Sequence, residues 1–271
     1  MIRDITIGQY YPAESPVHKL DPRVKLFTTL IYIIALFCFK GVLGLVIITA
    51  ALAAAIRLSK VPFSFMVKGL KAIVVLLLIT AAFNLLLTPG DVTLWKWGVF
   101  QISDSGIKNA VVMVIRLIYL IVGTSLMTLT TTPNQLTDGL EKSLAPLAKN
   151  NVPVHAIAMM MSIALRFIPI LIEETDKIMK AQMARGADFE NGNLIQKAKA
   201  MIPLLVPLFV SAFRRADDLA MAMEARCYNG GEGRTKMKPL KYNAQDRKAY
   251  LLVVVFLVLV IAARIVFPFP M

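Results

Sequence analysis

Five runs of almost unbroken apolar residues divide this sequence: Leu26–Phe39, Val42–Ile56, Ala72–Leu87, Ala110–Leu129 and Leu251–Phe267. A straight helix needs about 20 apolar residues to cross the hydrocarbon core of a bilayer. The fourth run reaches that length; the first two read as short spans in a tight hairpin at Lys40–Gly41, extended a few residues at either end. Composition points the same way. Of 271 residues 57% are hydrophobic and 17% charged, with a mean hydropathy of +0.66, whereas soluble domains run near 45–50% and about 25%. A soluble chain of this length has too little interior to hide so much apolar surface. That excludes a soluble enzyme or a nucleic-acid-binding domain, and also disorder, which requires low hydrophobicity. The expected class is an all-α integral membrane protein of about five transmembrane helices plus a module of long amphipathic helices.

The net charge of +13 would point to nucleic acid in a soluble protein. In a membrane protein it reflects basic residues gathered in cytoplasmic loops. Their distribution alternates. The N-terminal segment has Arg3, Lys19, Arg23 and Lys25; the first turn has only Lys40; the second connection has Arg57, Lys60, Lys68 and Lys71. The third has Lys96 and Lys108, offset by Asp91 and Asp104; residues 130–250 hold 17 of the 30 Lys and Arg; the tail after Phe267 has none. This pattern predicts a cytoplasmic N-terminus and central region, an outer C-terminus, and five spans, the number of apolar runs. The expected organisation is a cytoplasmic N-terminal segment over 1–25, four spans over 26–129, cytoplasmic or interfacial helices over 130–248, and a last span over 249–271. Residues 88–109 read as a loop whose Trp95 and Trp97 suit an interfacial belt. The first apolar run starts too late for a cleavable signal. Cys38 and Cys227 lie in unlike surroundings and are too few for a disulfide framework.

The central region carries the functional signal. Apolar residues at helical spacing predict one helix over about Val154–Arg185, with Glu173, Glu174, Lys177 and Lys180 on its opposite face. A second runs over about Leu194–Arg226, with Arg214, Arg215, Asp217, Asp218 and Glu224 opposite its apolar residues. A shorter amphipathic piece, Asn134–Ala148, precedes both. Kinks or breaks are expected at Pro169, Pro203 and Pro207. The two long helices end alike. At an offset of 41 residues, Asp176, Ala181, Ala184 and Arg185 match Asp217, Ala222, Ala225 and Arg226. A lone arginine near a helix C-terminus is ordinarily a cation favoured by the macrodipole. Two matched ends, with alanines that permit close approach and a guanidinium fork suited to a carboxylate, indicate a docking device for a partner with two equivalent grooves. Eight of the 14 methionines lie between residues 155 and 226. Methionine commonly fills gaps in a core, and it also suits a surface that accepts several partners.

Other chemistries lack their residues. There is no G-x-x-x-x-G-K-[ST] phosphate loop, and the run from Gly230 to Lys236 has the wrong order and spacing. His18 and His155, the only histidines, make no metal site with two isolated cysteines. Within the runs the ionisable groups are chiefly Arg116 and Arg264. Arg116 reads as snorkelling or structurally paired rather than as a substrate ligand. A self-contained channel or secondary transporter, the alternative reading, requires a polar pore-lining set in the spans. A membrane-embedded enzyme requires clustered His, Asp or Glu near the interface.

Three blocks converge on one family. Gly8-Gln9-Tyr10, Ser15-Pro16-Val17-His18 and Leu20-Asp21-Pro22-Arg23-Val24-Lys25-Leu26 resemble the N-terminal signature of the T component of energy-coupling factor transporters, in which His18, Asp21, Pro22, Arg23 and Lys25 are structural. Ala184-Arg185-Gly186 and Ala225-Arg226-Cys227 resemble that family's paired coupling motifs, with Cys227 where glycine is common. Residues 228–235 resemble the form shared among several substrate-binding proteins. The resemblance covers essentially the whole chain. It implies a bacterial plasma-membrane scaffold that is not an enzyme, has no cofactor and takes no nucleic acid. Its coupling helices would dock into two ABC-type ATPase subunits. Its membrane face would hold a substrate-binding membrane subunit, one of several interchangeable ones, for vitamin or micronutrient uptake.

Overall fold

Several helices begin at a side chain that answers the backbone N–H groups a helix start leaves open. The Asp21 carboxylate accepts from the Arg23 N–H ahead of Pro22, which needs no partner at the first helical position. Ser103 accepts from the Gly106 N–H. Thr132 and Gln135 cap each other reciprocally, Thr132 N–H to Gln135 Oε1 at 3.2 Å and Gln135 N–H to Thr132 Oγ1 at 3.3 Å. The resulting order is α1 (Pro22–Cys38), α2 (Gly41–Ser59), α3 (Phe63–Lys71), α4 (Val74–Leu87), β1 (Thr93–Trp97), β2 (Phe100–Ser103), α5 (Asp104–Thr130), α6 (Pro133–Leu144), α7 (Val154–Ala184), α8 (Leu194–Ala225) and α9 (Ala244–Val266). This is a computed structural model, and it describes residues 10–266 except 40, 72, 89–92, 98–99, 147–152, 188, 190–193, 231–236 and 238. Gly8, Gln9, Lys40, the glycine-rich run from Gly231 to Lys236, and Phe267 lie outside the described residues.

The architecture is helical, as expected, with four local differences. The region expected as a loop over 88–109 holds an antiparallel hairpin that pairs Trp95 with Ile102 and Trp97 with Phe100. Helix α5 also starts six residues before the apolar run, at Asp104, because the Ser103 cap fixes its first turn. A separate helix, α3, precedes the third run. Of the kinks or breaks expected at Pro169, Pro203 and Pro207, no break occurs: α7 and α8 are continuous helices of 31 and 32 residues across them. Among the described residues, four helices are long and apolar enough to cross a membrane: α2, α5, α7 and α9. Helix α4 is shorter and α1 has 17 residues. Helix α7 joins this group because its apolar stretches merge across Arg166 into one helix.

The chain divides into two compact units. One comprises Gly8–Lys142 with Leu240–Met271. In it α1 packs on α5 and α9, α2 packs on the same two helices, and α3 and α4 pack on α5. Ala35, Leu36, Phe39, Ile48 and Val260 form one buried cluster. Leu52, Val61, Met66, Val122, Leu126 and Leu129 form another. Tyr32 donates to the Tyr119 carbonyl at 2.9 Å and lies so close to Gly123 that a Cβ there would collide with its ring. Arg116 holds its guanidinium carbon 5.0 Å from the Phe39 ring centroid, a cation–π contact. Arg264 donates to the Cys38 carbonyl at 3.3 Å.

The other unit covers Ser143–Pro239 and consists of α7 packed on α8. Phe167, Leu171, Glu174, Ile178 and Gln182 are partly buried on α7. Leu208, Ala212, Arg215, Leu219 and Met223 are partly buried on α8. The second set is the first displaced by 41 residues, so the repeat seen at the helix ends extends along both packed faces.

Candidate functional site

The two arginine tips share one backbone geometry. At the end of α7 the Gly186 N–H bonds to the Met183 carbonyl at 3.0 Å and the Ala187 N–H to the Gln182 carbonyl at 3.0 Å. At the end of α8 the Cys227 N–H bonds to Glu224 at 2.8 Å and the Tyr228 N–H to Met223 at 3.0 Å. Both are Schellman motifs, which satisfy the last carbonyls of a helix by turning one residue into the left-handed region. That residue is Gly186 at φ 91° in one and Cys227 at φ 52° in the other. The cysteine therefore leaves the helix end unchanged and accepts an unfavourable conformation to do so. Ala184, Arg185, Gly186, Ala225, Arg226 and Cys227 are all exposed. Each arginine occupies the C-cap, and the left-handed residue after it makes the chain leave the helix axis, so the tip is blunt and accessible.

A second feature places the tips relative to each other. Arg215 donates to Glu174 Oε2 at 2.8 Å, and these two residues are equivalents in the 41-residue repeat. Equivalent residues can touch only at the point where the pseudo-two-fold relation between the helices passes. Gln182 donates to the Pro203 carbonyl at 3.4 Å, so later residues of α7 meet earlier residues of α8 and the helices cross antiparallel. Each arginine lies 11 residues beyond the crossing pair, about 16 Å along a helix. The tips therefore project on opposite sides of the crossing at equal reach. The sequence pattern assigned Glu174 and Arg215 to the solvent face. The structure corrects this: both sit in the packed stripe, where opposite charges neutralise each other. Their shared offset and opposite sign were the available signal.

The N-terminal signature residues assemble elsewhere, within the other unit. The buried Asp21 carboxylate takes two bonds from the Arg23 guanidinium, at 3.0 and 2.9 Å. Pro22 and Lys25 are buried, and the Lys25 ammonium donates to the carbonyls of His18 at 3.1 Å and Thr130 at 2.8 Å. The latter stands at the C-terminus of α5, where a cation is favoured. Partly buried His18 donates from Nε2 to the Tyr11 carbonyl at 3.0 Å and accepts at Nδ1 from Ser15 Oγ at 2.6 Å. Burial lowers the His18 pKa more than its backbone bond raises it. For Asp21, burial pushes the carboxyl up, but the bonds and charge of Arg23 together hold it below its ordinary value. Arg23 also stacks on Tyr242, its guanidinium carbon 3.9 Å from the ring centroid.

Asp246, not singled out from the sequence, completes the cluster. It is 1% exposed. One oxygen accepts from the Asp21 N–H at 2.9 Å and the other from the Asn243 N–H at 2.7 Å, so one carboxylate serves the starts of both α1 and α9. Only an acid three residues after a capping position hinted at this. Among the described residues no group of three or more His, Cys, Asp or Glu is placed to hold a metal ion.

Fold and site together define a polytopic helical membrane protein that presents two equivalent arginine-tipped helix ends. The family model described as cobalt transport protein, CbiQ, matches residues 13–237. The energy-coupling factor transporter transmembrane protein EcfT of Clostridium kluyveri is 56% identical over 266 residues, covering 98% of both chains. Those of Ruminiclostridium cellulolyticum and Bacillus subtilis are 51% identical over 267 residues and 46% over 264; each alignment covers the whole relative and 98% or 97% of this chain. The chain belongs to this family, the transmembrane components of energy-coupling factor transporters.

Proposed function

We propose that this protein is the non-catalytic energy-coupling scaffold of an ATP-driven importer in the bacterial plasma membrane. Arg185 and Arg226 each anchor one of two ABC-type ATPase subunits through charge-assisted bonds to acidic groups in a surface groove. The guanidinium fork fits a carboxylate bidentately, and the small Ala184, Gly186 and Ala225 let the groove walls close around it. Movement of the ATPases on ATP binding displaces the two tips, and the crossed pair carries that displacement to a substrate-binding membrane subunit, one of several interchangeable ones, which delivers a vitamin or other micronutrient inward. The exposed apolar residues of α8, among them Leu205, Val206, Phe209, Val210 and Phe213, offer that subunit a surface. In this reading the N-terminus and the two tips face the cytoplasm and the C-terminus lies outside. The observation that carries the proposal is the pair of identically capped arginines at equal distance from a crossing of equivalent residues.

Uptake by the reconstituted complex tests it. Truncating one partner of a buried charged pair typically costs about 2–5 kcal/mol, and each 1.4 kcal/mol is roughly tenfold in affinity. Arg185→Ala or Arg226→Ala alone weakens assembly while the other contact remains; the double variant abolishes uptake because the bivalent grip is gone. Lysine at either position rescues poorly, since it lacks the planar fork. Exposed Arg166 and Arg214 are the controls; Arg215 is unsuitable because it forms the crossing pair. Normal uptake by a folded, membrane-inserted double variant refutes the docking role.

A further inference from the structure

Helices α1 and α2 meet near their connection, where Ala35, Leu36 and Phe39 cluster with Ile48, and beyond it both lean on α5 and α9. The ring of four helices left by this arrangement is not filled. It frames a groove of about 550 Å³ that is half open to the outside, with exposed Ala54, Leu58, Leu252, Val255 and Leu259 along its rim. The buried cluster of Phe39, Ile48 and Val260 adjoins the lining residues Ile47 and Leu259. Along α2 the groove extends from Ile47 to Leu58, about 16 Å at the helical rise. That is half the roughly 30 Å hydrocarbon thickness of a bilayer, the depth of one leaflet.

The wall is almost wholly apolar. Three of its four hydroxyls are spent on backbone: Thr29 donates to the Lys25 carbonyl, Thr130 to Leu126 and Tyr32 to Tyr119, while Thr28 is the fourth. Apart from the Thr28 hydroxyl, three residues from Lys25, no side chain described along the shaft is left to orient a polar solute. At one end stands Lys25, which lines the groove and is 5% exposed. An ammonium has three donors. Two go to the carbonyls of His18 and Thr130. The neighbouring carboxylates are occupied, Asp21 by Arg23 and Asp246 by two backbone N–H groups. The site thus offers one cation with a spare donor at the mouth of an apolar shaft one leaflet deep.

We propose that this groove binds one acyl chain of an anionic phospholipid, with the lipid phosphate at Lys25. A chain in the shaft supplies the dispersion contacts that an empty groove forfeits, and the phosphate completes the hydrogen bonding of a buried cation. The lipid thereby becomes part of the packing between α1, α2, α5 and α9.

Native mass spectrometry of the delipidated full chain in detergent tests this, with dioleoylphosphatidylglycerol, dioleoylphosphatidylcholine and glycerol 3-phosphate as probes. One saturable phosphatidylglycerol adduct is expected, more than about tenfold tighter than phosphatidylcholine. Glycerol 3-phosphate should not bind. Lys25→Gln should remove the preference between the two lipids. The paired change Ala51→Phe with Ala55→Phe leaves the Lys25 contacts alone, fills the shaft, and should abolish the adduct while circular dichroism shows intact helices. Should Lys25→Gln not fold, the groove-filling variant decides alone. Equal binding of the two lipids, binding of glycerol 3-phosphate, or undiminished phosphatidylglycerol binding to the filled variant overturns the proposal and leaves ordinary annular lipid.

Discussion

At the residue scale, Gly186 and Cys227 form a natural experiment. They occupy the same position of the same motif, and only one is suited to it. A non-glycine residue in the left-handed region costs roughly 1–2 kcal/mol. Nothing lies within 4 Å of a Cβ built on Gly186, so the penalty there is backbone conformation alone. Cys227→Gly is therefore expected to stabilise the α8 end by about 1 kcal/mol, and Gly186→Ala to destabilise the α7 end by a similar amount. Thermal unfolding in detergent measures both. A cysteine variant that unfolds no later than the parent contradicts the assigned cap. The arginine triplets were legible in the sequence because each short motif contains its own geometry: small residue, arginine, left-handed residue. Asp246 was not, since nothing near it in sequence reveals that the Asp21 N–H, 225 positions away, is its partner.

At the scale of elements, the crossing of α7 and α8 rests on one ion pair set in a stripe of apolar residues. The pair is partly buried, so its value lies between the near-zero of exposed pairs and the several kcal/mol lost on breaking a buried one. Glu174→Arg or Arg215→Glu alone is expected to destabilise by roughly 1–3 kcal/mol and to depress coupled transport. The combined exchange should restore most of both, because equivalent positions near a pseudo-two-fold axis tolerate the swap. Additive losses in this double-mutant cycle would remove the pair from the crossing. Helical periodicity located both helices almost to the residue, because 3.6-residue spacing is local. It failed on which face carries Glu174 and Arg215, since a charge reads as solvated until its partner is known. The hairpin at 93–103 and helix α3 were missed for a related reason. In the sequence Lys68 and Lys71 look like loop, because the packing of α3 on α5 is out of view there.

For the whole molecule, the acidic limb of stability follows from the N-terminal cluster. The folded-state pKa of His18 lies below its ordinary 6.5, so the unfolded chain binds the proton more readily; the stability it contributes is present above 6.5 and is lost as pH falls below it. Asp21 is likewise lowered from 3.8, and its contribution is present above that value and lost as pH falls through the folded value. Unfolding temperature is expected to fall in two steps on acidification. His18→Gln should remove the step below 6.5, and Asp21→Asn the step below 3.8. A single step near pH 4 in the parent would show that His18 does not contribute. Composition made the membrane class legible, since 57% apolar residues leave a chain of this size no other environment. The division into units was less so, because α6 and the start of α9 are polar in sequence yet belong with the apolar helices.

The carboxylate shared by α1 and α9 also imposes an order on biogenesis. The Asp21 N–H waits for an acid that the ribosome reaches 225 residues later; at about 5–20 residues per second that is roughly 10–45 s. Once α5 is complete at Thr130, α1 can lean on it while the α9 wall of the four-helix ring is still missing. The first helix is thus inserted early and locked last, and any lipid destined for the shaft has a wide doorway only until synthesis ends.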